Sequence, residues 1–216
     1  ERYARLPRVR PPTASELREA GTRPVLDSLW AAALDLGRWP APEEAADIVL
    51  GDEIASLAAA VRLARRRYDM KLLQRARDAR IDDLCLHFAM QQFEKRPKYK
   101  ELPLSLRLDV AEFFGTYAAA QAAGIRLLMQ SADPESLIVA ATLASAAGTG
   151  WLQGEEWLQV DMALVERLPA VLRCYVGTGL ILAGPSVRSA DLVKLHLASR
   201  KVSFFEYEDY PTSPLP

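Results

Sequence analysis

Asp191-Leu192-Val193-Lys194-Leu195-His196-Leu197-Ala198-Ser199-Arg200-Lys201-Val202-Ser203-Phe204-Phe205-Glu206-Tyr207 is the stretch that decides the fold class. Polar and apolar residues alternate with period two over Asp191 to Leu197 and, less cleanly, over Lys201 to Tyr207, which is the spacing of a strand with one buried face. Ala198, Ser199 and Arg200 form a short connection, so a β-hairpin is expected. A lone two-stranded ribbon is marginal in water, and Trp157, Leu158 and Val160 are the residues that supply a third strand. Upstream of these residues the patterning is helical. The expected fold is therefore mainly α with a small C-terminal antiparallel β-sheet, an α+β domain. Lys194 and His196 fall on one face of their strand, with Lys201 just across the turn. That group can hold an anion, or it can be the solvated side of a half-buried hairpin.

Working back from the hairpin, Ala163 to Leu182 reads as a helix eased at Pro169, with Leu172, Tyr175 and Val176 inward. Gly148-Thr149-Gly150 and Gly177-Thr178-Gly179 look superficially like nucleotide loops. A methyltransferase loop wants a carboxylate two residues before its first glycine, where Tyr175 stands, so no cofactor is assigned to this chain. Asp133 and Pro134 have the form of a helix cap and first position, with Leu137, Ile138, Ala141 and Leu143 as the buried face and an end near Gly148. Ala118 to Gln130 is rich in alanine, which suits close helix packing.

Arg96 to Tyr117 joins this half to the basic one before it. Arg96, Pro97, Lys98 and Lys100 make a cationic loop, because Pro97 removes a donor and disfavours helix at Arg96. Pro103 suits the opening of a helix whose apolar face is Leu104, Leu108, Ala111 and Phe114, with Arg107 and Asp109 on other faces and Gly115 as the stop.

The N-terminal half begins with Arg2, Arg5, Arg8 and Arg10 among prolines, a solvated tether. Thr13 and Glu16 form a capping box for a short helix to Ala20 ended by Gly21, and Pro24 opens a second helix closed by Gly37. Pro42 with Glu43 and Glu44 reads as a helix start, and a further helix is expected from Glu53 to Arg67. Two short helices and a turn behind Gly37-Arg38-Trp39-Pro40 resemble the small helical repeats found beside homing endonucleases. Val61 to Arg80 concentrates eight cations, including Arg62, Arg65, Arg66 and Lys71, as a phosphate-contacting surface would. A solvated helix face with Asp69 and Asp78 as partners fits equally. Ile81, Leu84, Cys85, Phe88 and Ala89 then form an apolar stripe. Asp83 and His87 sit one turn apart, but without a third ligand no metal is expected. The expected division is 1–23, a linker and short helix; 24–95, a basic helical region of helix-turn-helix-like form; and 96–216, a helical core with the hairpin.

With 216 residues, half of them hydrophobic, the chain can bury a substantial core, and its formal net charge of -1 confines any attraction to nucleic acid to local patches. Cys85 and Cys174 read as separate buried thiols in a reducing, cytoplasmic setting. No apolar run spans a bilayer and no signal peptide opens the chain, so no membrane partner is expected.

Taken together, Arg96-Pro97-Lys98 with Leu102-Pro103, Leu106-x-x-Asp109 and Phe113-Phe114-Gly115-x-Tyr117 carry a resemblance. They are followed by Asp133-Pro134, Leu168-Pro169-x-x-Leu172-Arg173-x-Tyr175, Ala190-Asp191-Leu192-Val193-Lys194-Leu195-His196, Lys201-Val202-Ser203 and Tyr207-x-Asp209-Tyr210. The chain resembles the C-terminal region of a bacterial family of DNA phosphorothioation-associated, methyltransferase-like proteins, in order and spacing from about Gly37 and most specifically over Arg96 to Tyr210. The resemblance implies an upstream domain with an S-adenosylmethionine loop, which nothing here matches. Glu1 to Pro12 would be the linker leaving it, and the chain a piece trimmed at both ends. It supplies no catalytic residue.

The implied role is the non-catalytic, DNA- or substrate-engaging part of a DNA-modification or defence protein, with DNA, plain or phosphorothioated, as partner. Arg62, Arg65, Arg66, Lys71, Arg96, Lys98 and Lys100 would contact phosphates, and Lys194, His196 and Lys201 make a second surface. A rival reading is a protein-docking or oligomerisation module with an apolar patch around Trp151, Trp157 and Phe204. Another is an enzyme whose cleft gathers Asp109, Arg173, Lys194, His196 and Tyr207.

Overall fold

The computed structural model describes residues 13–48, 50, 54–187 and 189–208, with the backbone alone for 14–20. The Arg-rich tether, the expected helix start at Glu53 and the tail from Asp209 lie outside the described residues. The chain divides into two compact units, Glu1–Arg80 and Ile81–Pro216.

The first unit contains helices α1 (Ala14–Leu36) and α2 (Leu57–Arg67) and the opening of α3 (Met70–Met90). Where two helices were expected before Gly37, α1 runs unbroken through Gly21 and Pro24. Pro24 is exposed, and its missing N–H removes one bond of the helix ladder. Beyond it Leu26 and Leu29 pack with Ile54, Ala60 and Ala64, which holds the helix on its course. Gly37 ends α1 with φ +66°, and a Cβ there would meet the Ala76 carbonyl oxygen at 2.9 Å. The helix expected at Pro42 is instead a pair of tight turns: Glu44 and Ala45 both donate to the Ala41 carbonyl, and Ile48 donates to that of Ala45. The Glu44 carboxylate, expected to serve a helix dipole, is taken by the Arg38 guanidinium at 2.6 and 2.8 Å and by the Ala41 N–H at 3.0 Å. Helix α2 starts at Leu57 because Ser56, with extended backbone, accepts from Ala59 N–H.

The second unit begins inside α3 and continues with α4 (Leu104–Asp109), α5 (Tyr117–Gln130), α6 (Pro134–Ala146) and α7 (Ala170–Ala183). Thr116 and Asp133 cap α5 and α6 through bonds from Ala119 and Ser136 N–H. The helix from Leu104 widens into a π turn over Val110–Phe114 before Gly115, at φ +73°, stops it. A π turn shifts the side-chain register. Asp109, read as lying off the apolar face, precedes that turn and is fully buried beside Val110, while Leu104 and Ala111 are exposed. On α6 the buried face is Leu137, Ala140, Ala141 and Ala144, and Leu143 is 59% exposed. Helix α5 approaches α3 closely at Gly124, where a Cβ would lie 2.5 Å from the Phe88 carbonyl carbon.

Four antiparallel strands, β1 (Trp151–Gln153), β2 (Trp157–Asp161), β3 (Leu192–His196) and β4 (Lys201–Phe205), form one sheet in the order β1-β2-β3-β4. The expected hairpin is β3–β4 and the expected third strand is β2; β1 is a fourth that the sequence reading missed. Leu158, Val160, Val193 and Leu195 face the core with Leu137, Ala141, Leu172 and Val176 from α6 and α7. This is a mainly helical α+β fold with a small antiparallel sheet. Cys174 is buried and Cys85 half-buried, both as free thiols. Among the described residues no helix is long and apolar enough to cross a membrane.

Candidate nucleic-acid interface

Because β-strand side chains alternate, the residues that do not face the core stand together on the outer face of the sheet. The register sets them in two rows: Trp151, Gln159, Lys194 and Ser203 in one, Gln153, Trp157, His196 and Lys201 in the next. Lys194 and His196 thus share the face with Lys201, as the alternation predicts. Lys194 Nζ lies 3.7 Å from the centroid of the Trp157 ring, and Trp151 meets Trp157 in a T-shaped pair with centroids 5.0 Å apart. Among the described residues no carboxylate pairs with Lys194, His196 or Lys201. Burial first, then the charges of Lys194 and Lys201, hold His196 below the ordinary histidine range.

The rows are pinned from beneath and from the ends. Tyr175 on α7 donates its hydroxyl to the His196 carbonyl at 2.9 Å, and burial pushes that phenol up to about 12. Leu197 N–H donates to the Glu156 carbonyl at 2.9 Å, tying the β3–β4 turn to the β1–β2 turn. In the latter turn Gly154 adopts φ +52° and Glu156 N–H donates to the Gln153 carbonyl. The acids nearest this end, Glu155 and Glu156, are exposed in that turn. Asp161, at the other end of the same face, accepts from Ala163 N–H at 2.8 Å. There the face closes, with Leu192 buried.

The loop cations are held locally. Tyr117 donates its hydroxyl to the Pro97 carbonyl at 3.0 Å, and Glu101 accepts from Lys98 N–H at 2.9 Å, leaving the side chains of Arg96, Lys98 and Lys100 exposed. In the first unit Arg62, Arg65, Arg66 and Lys71 are all exposed. Arg65 lies 5.9 Å from the Trp39 centroid, and Arg65, Arg66 and Arg67 occupy the last turn of α2, where cations offset the helix dipole. Of the acids read as their partners, Asp69 accepts from Lys71 N–H and Asp78 accepts from Gln74.

No protein-family model matches this chain, and no curated protein and no solved structure is similar to it.

Of the groups named for an enzyme cleft, Lys194 and His196 share the outer face of the sheet, while Asp109, Arg173 and Tyr207 are engaged elsewhere. Asp109 is buried in α4, and Tyr207 donates its N–H to Asp191 at 2.9 Å. Arg173 binds Asp83 at 2.7 Å, in a cleft of about 470 Å³ shared with His87 and Glu166. Asp83 therefore serves a guanidinium, and among the described residues no three His, Cys, Asp or Glu side chains group as metal ligands. Gly150 and Gly179 are packing points, where a Cβ would meet Gln159 and Leu158 or Val202 at about 3 Å. Of the expected apolar patch, Trp151 and Trp157 stand together on the outer face, whereas Phe204 packs against the core. The sequence reading missed Trp151 as part of the cationic face, although Gly154-Glu155-Glu156 between two Trp-led runs is a hairpin signal.

Proposed function

We propose that this chain engages DNA through its phosphate backbone, as the non-catalytic, substrate-holding part of a DNA-modification or defence protein of the kind its sequence resembles. The observation that carries the reading is the outer face of the sheet. Two lysines and a histidine stand there without carboxylate partners among the described residues, beside tryptophans and amide and hydroxyl side chains. Folding to this arrangement places like charges side by side, and burial together with those charges lowers the His196 pKa. A polyanion relieves that repulsion and releases its own counterions. The exposed cations of α2 and of the Arg96–Lys100 loop supply further sequence-independent phosphate contacts.

The test is binding of the chain to duplex DNA, plain and phosphorothioated, across a salt series. Affinity should fall steeply with salt, and Lys194→Gln and Lys201→Gln should each reduce the slope of log K against log salt by about one. Tighter binding of the modified duplex would tie the chain to phosphorothioation. Absence of binding at low salt to both duplexes and to a single strand overturns the proposal.

A second reading, a protein-docking module, draws on a different observation. Leu182 is 79% and Ile181 45% exposed at the end of α7, beside an apolar cleft lined by Met90, Gly177, Leu180 and Pro185. It predicts that Leu182→Lys abolishes capture of a protein partner while leaving DNA binding unchanged.

A further inference from the structure

Phosphate contacts alone do not require tryptophan. On the outer face the cations are interleaved with Trp157, half-buried, and Trp151, which is 61% exposed on the edge strand β1. Trp157 is already engaged, with Lys194 against its ring and Trp151 at right angles to it. Trp151 meets Trp157 on one side and is otherwise presented to solvent. An exposed tryptophan is costly to hydrate and is not explained by the core, which lies on the opposite face. From Trp151 to Lys194, and likewise from Trp157 to Lys201, is two strand spacings, about 10 Å across a flat surface. Gln159 lies between Trp151 and Lys194, and Ser203 and Gln153 lie at the outer ends of the two rows; all three carry hydrogen-bonding groups suited to base edges or sugar and offer no competing charge.

We propose that this face is a stacking platform for single-stranded DNA, with Trp151 taking a base on its ring while Lys194, Lys201 and His196 hold the phosphates. A duplex keeps its bases inside and cannot use Trp151; an unpaired strand can use both the ring and the cations. The inference rests on the DNA-engaging reading above and narrows it to one form of DNA. The charge of the face is complementary to a strand along β3 and β4. Glu155 and Glu156, in the β1–β2 turn at one end, mark the rim where the strand would have to turn away.

The experiment compares three fluorescent ligands of equal length by anisotropy across one salt series: oligothymidylate, an abasic strand with the same phosphates, and a duplex. Oligothymidylate should bind about tenfold tighter than the abasic strand, the effect expected of a base stacked on an aromatic side chain. Trp151→Ala should bring the two strands to equal affinity, and Trp151→Phe should restore most of the difference. Lys194→Gln or Lys201→Gln should weaken both strands together and lower the salt slope by about 0.7 each. Equal binding of both strands by the unaltered chain, or an unchanged ratio in Trp151→Ala, overturns the platform. If the duplex still binds in a salt-dependent way, that failure leaves the phosphate-contacting reading standing. If no ligand binds at low salt, both fall. Trp151 lies on an exposed edge, and an unchanged far-ultraviolet spectrum verifies that its replacement leaves the fold intact.

Discussion

Both units set tryptophan beside basic side chains, and they do so to opposite ends. In the first unit Trp30 stacks on Tyr68 with centroids 4.9 Å apart and 5° between planes, Trp39 tilts against Trp30 at 6.0 Å, and Arg65 lies over Trp39. Tyr68 in turn donates its hydroxyl to Asp27. The rings there serve one another, and the cations crowd the end of a helix that they stabilise. In the second unit the helices beneath hold a sheet, two lysines and a histidine come from three positions on two paired strands, and Trp151 is left facing water. The first unit has the greater density of charge; the second has the charge arranged. Density creates a general field, whereas a rigid array aims contacts at fixed positions.

The comparison can be broken at its most costly point first. Arg38 is 5% exposed and its bidentate bond to Glu44 holds the chain between α1 and α2. Glu44→Ala leaves a buried guanidinium without its carboxylate, and a urea titration should show a loss of about 3 to 5 kcal/mol. The Arg38 guanidinium also holds the Glu44 carboxyl below its ordinary range. A group with a depressed folded pKa stabilises above its unfolded pKa, so this contribution is present at neutral pH and is lost as pH falls through the folded value. A loss under 1 kcal/mol would mean that Arg38 is satisfied elsewhere and that the first unit is built differently.

Smaller and symmetrical effects come from the caps. Ser56 caps α2 in one unit and Thr116 caps α5 in the other, each accepting one backbone N–H, at 3.2 and 3.1 Å. Alanine at either should cost about 1 kcal/mol by denaturant midpoint. A much larger cost at Thr116 would show that the helices under the sheet depend on it for more than one bond.

The smallest effects sharpen the functional contrast. Arg65→Gln with Arg66→Gln should change stability by under about 0.5 kcal/mol while reducing the salt slope of duplex binding and leaving the preference for thymidylate over the abasic strand intact. His196 supplies the pH signature. Burial, Lys194 and Lys201 depress its pKa, and the exposed carboxylates of Glu155 and Glu156 stand in the neighbouring turn. The unfolded chain therefore takes up the proton first as pH falls, so His196 removes stability on descending through about pH 6.5. A bound phosphate favours the protonated ring, so affinity should rise over the same descent, and His196→Ala should flatten that dependence. An affinity independent of pH in the unaltered chain would remove His196 from the anion-holding group.

Much of this was readable from residue order. Period-two alternation around Lys194 and around Lys201 predicts both strands of the hairpin and their shared face, because side-chain direction along a strand depends only on parity. Asp133 with Pro134, and Gly115 and Gly148 with positive φ, mark helix ends because capping is local chemistry among neighbours. The outcome at Asp109 and Leu104 was not readable, since which side of so short a helix is buried is set by the elements that pack on it and not by its own residues. Nor was the use of Glu44, which serves a helix dipole or a buried guanidinium according to which is nearer once the chain has packed.

By itself, then, the sequence determined the kinds of element, most of their ends, and which cations share a strand face. Only the tertiary structure decided that Trp151 joins a fourth strand two positions across from Lys194, and that Tyr175 pins His196 from below. It also decided that α1 passes through Pro24 without breaking. These depend on contacts between residues far apart in the chain, whose summed energies outweigh local preferences of about 1 kcal/mol among ordinary residues and about 3 kcal/mol at a proline.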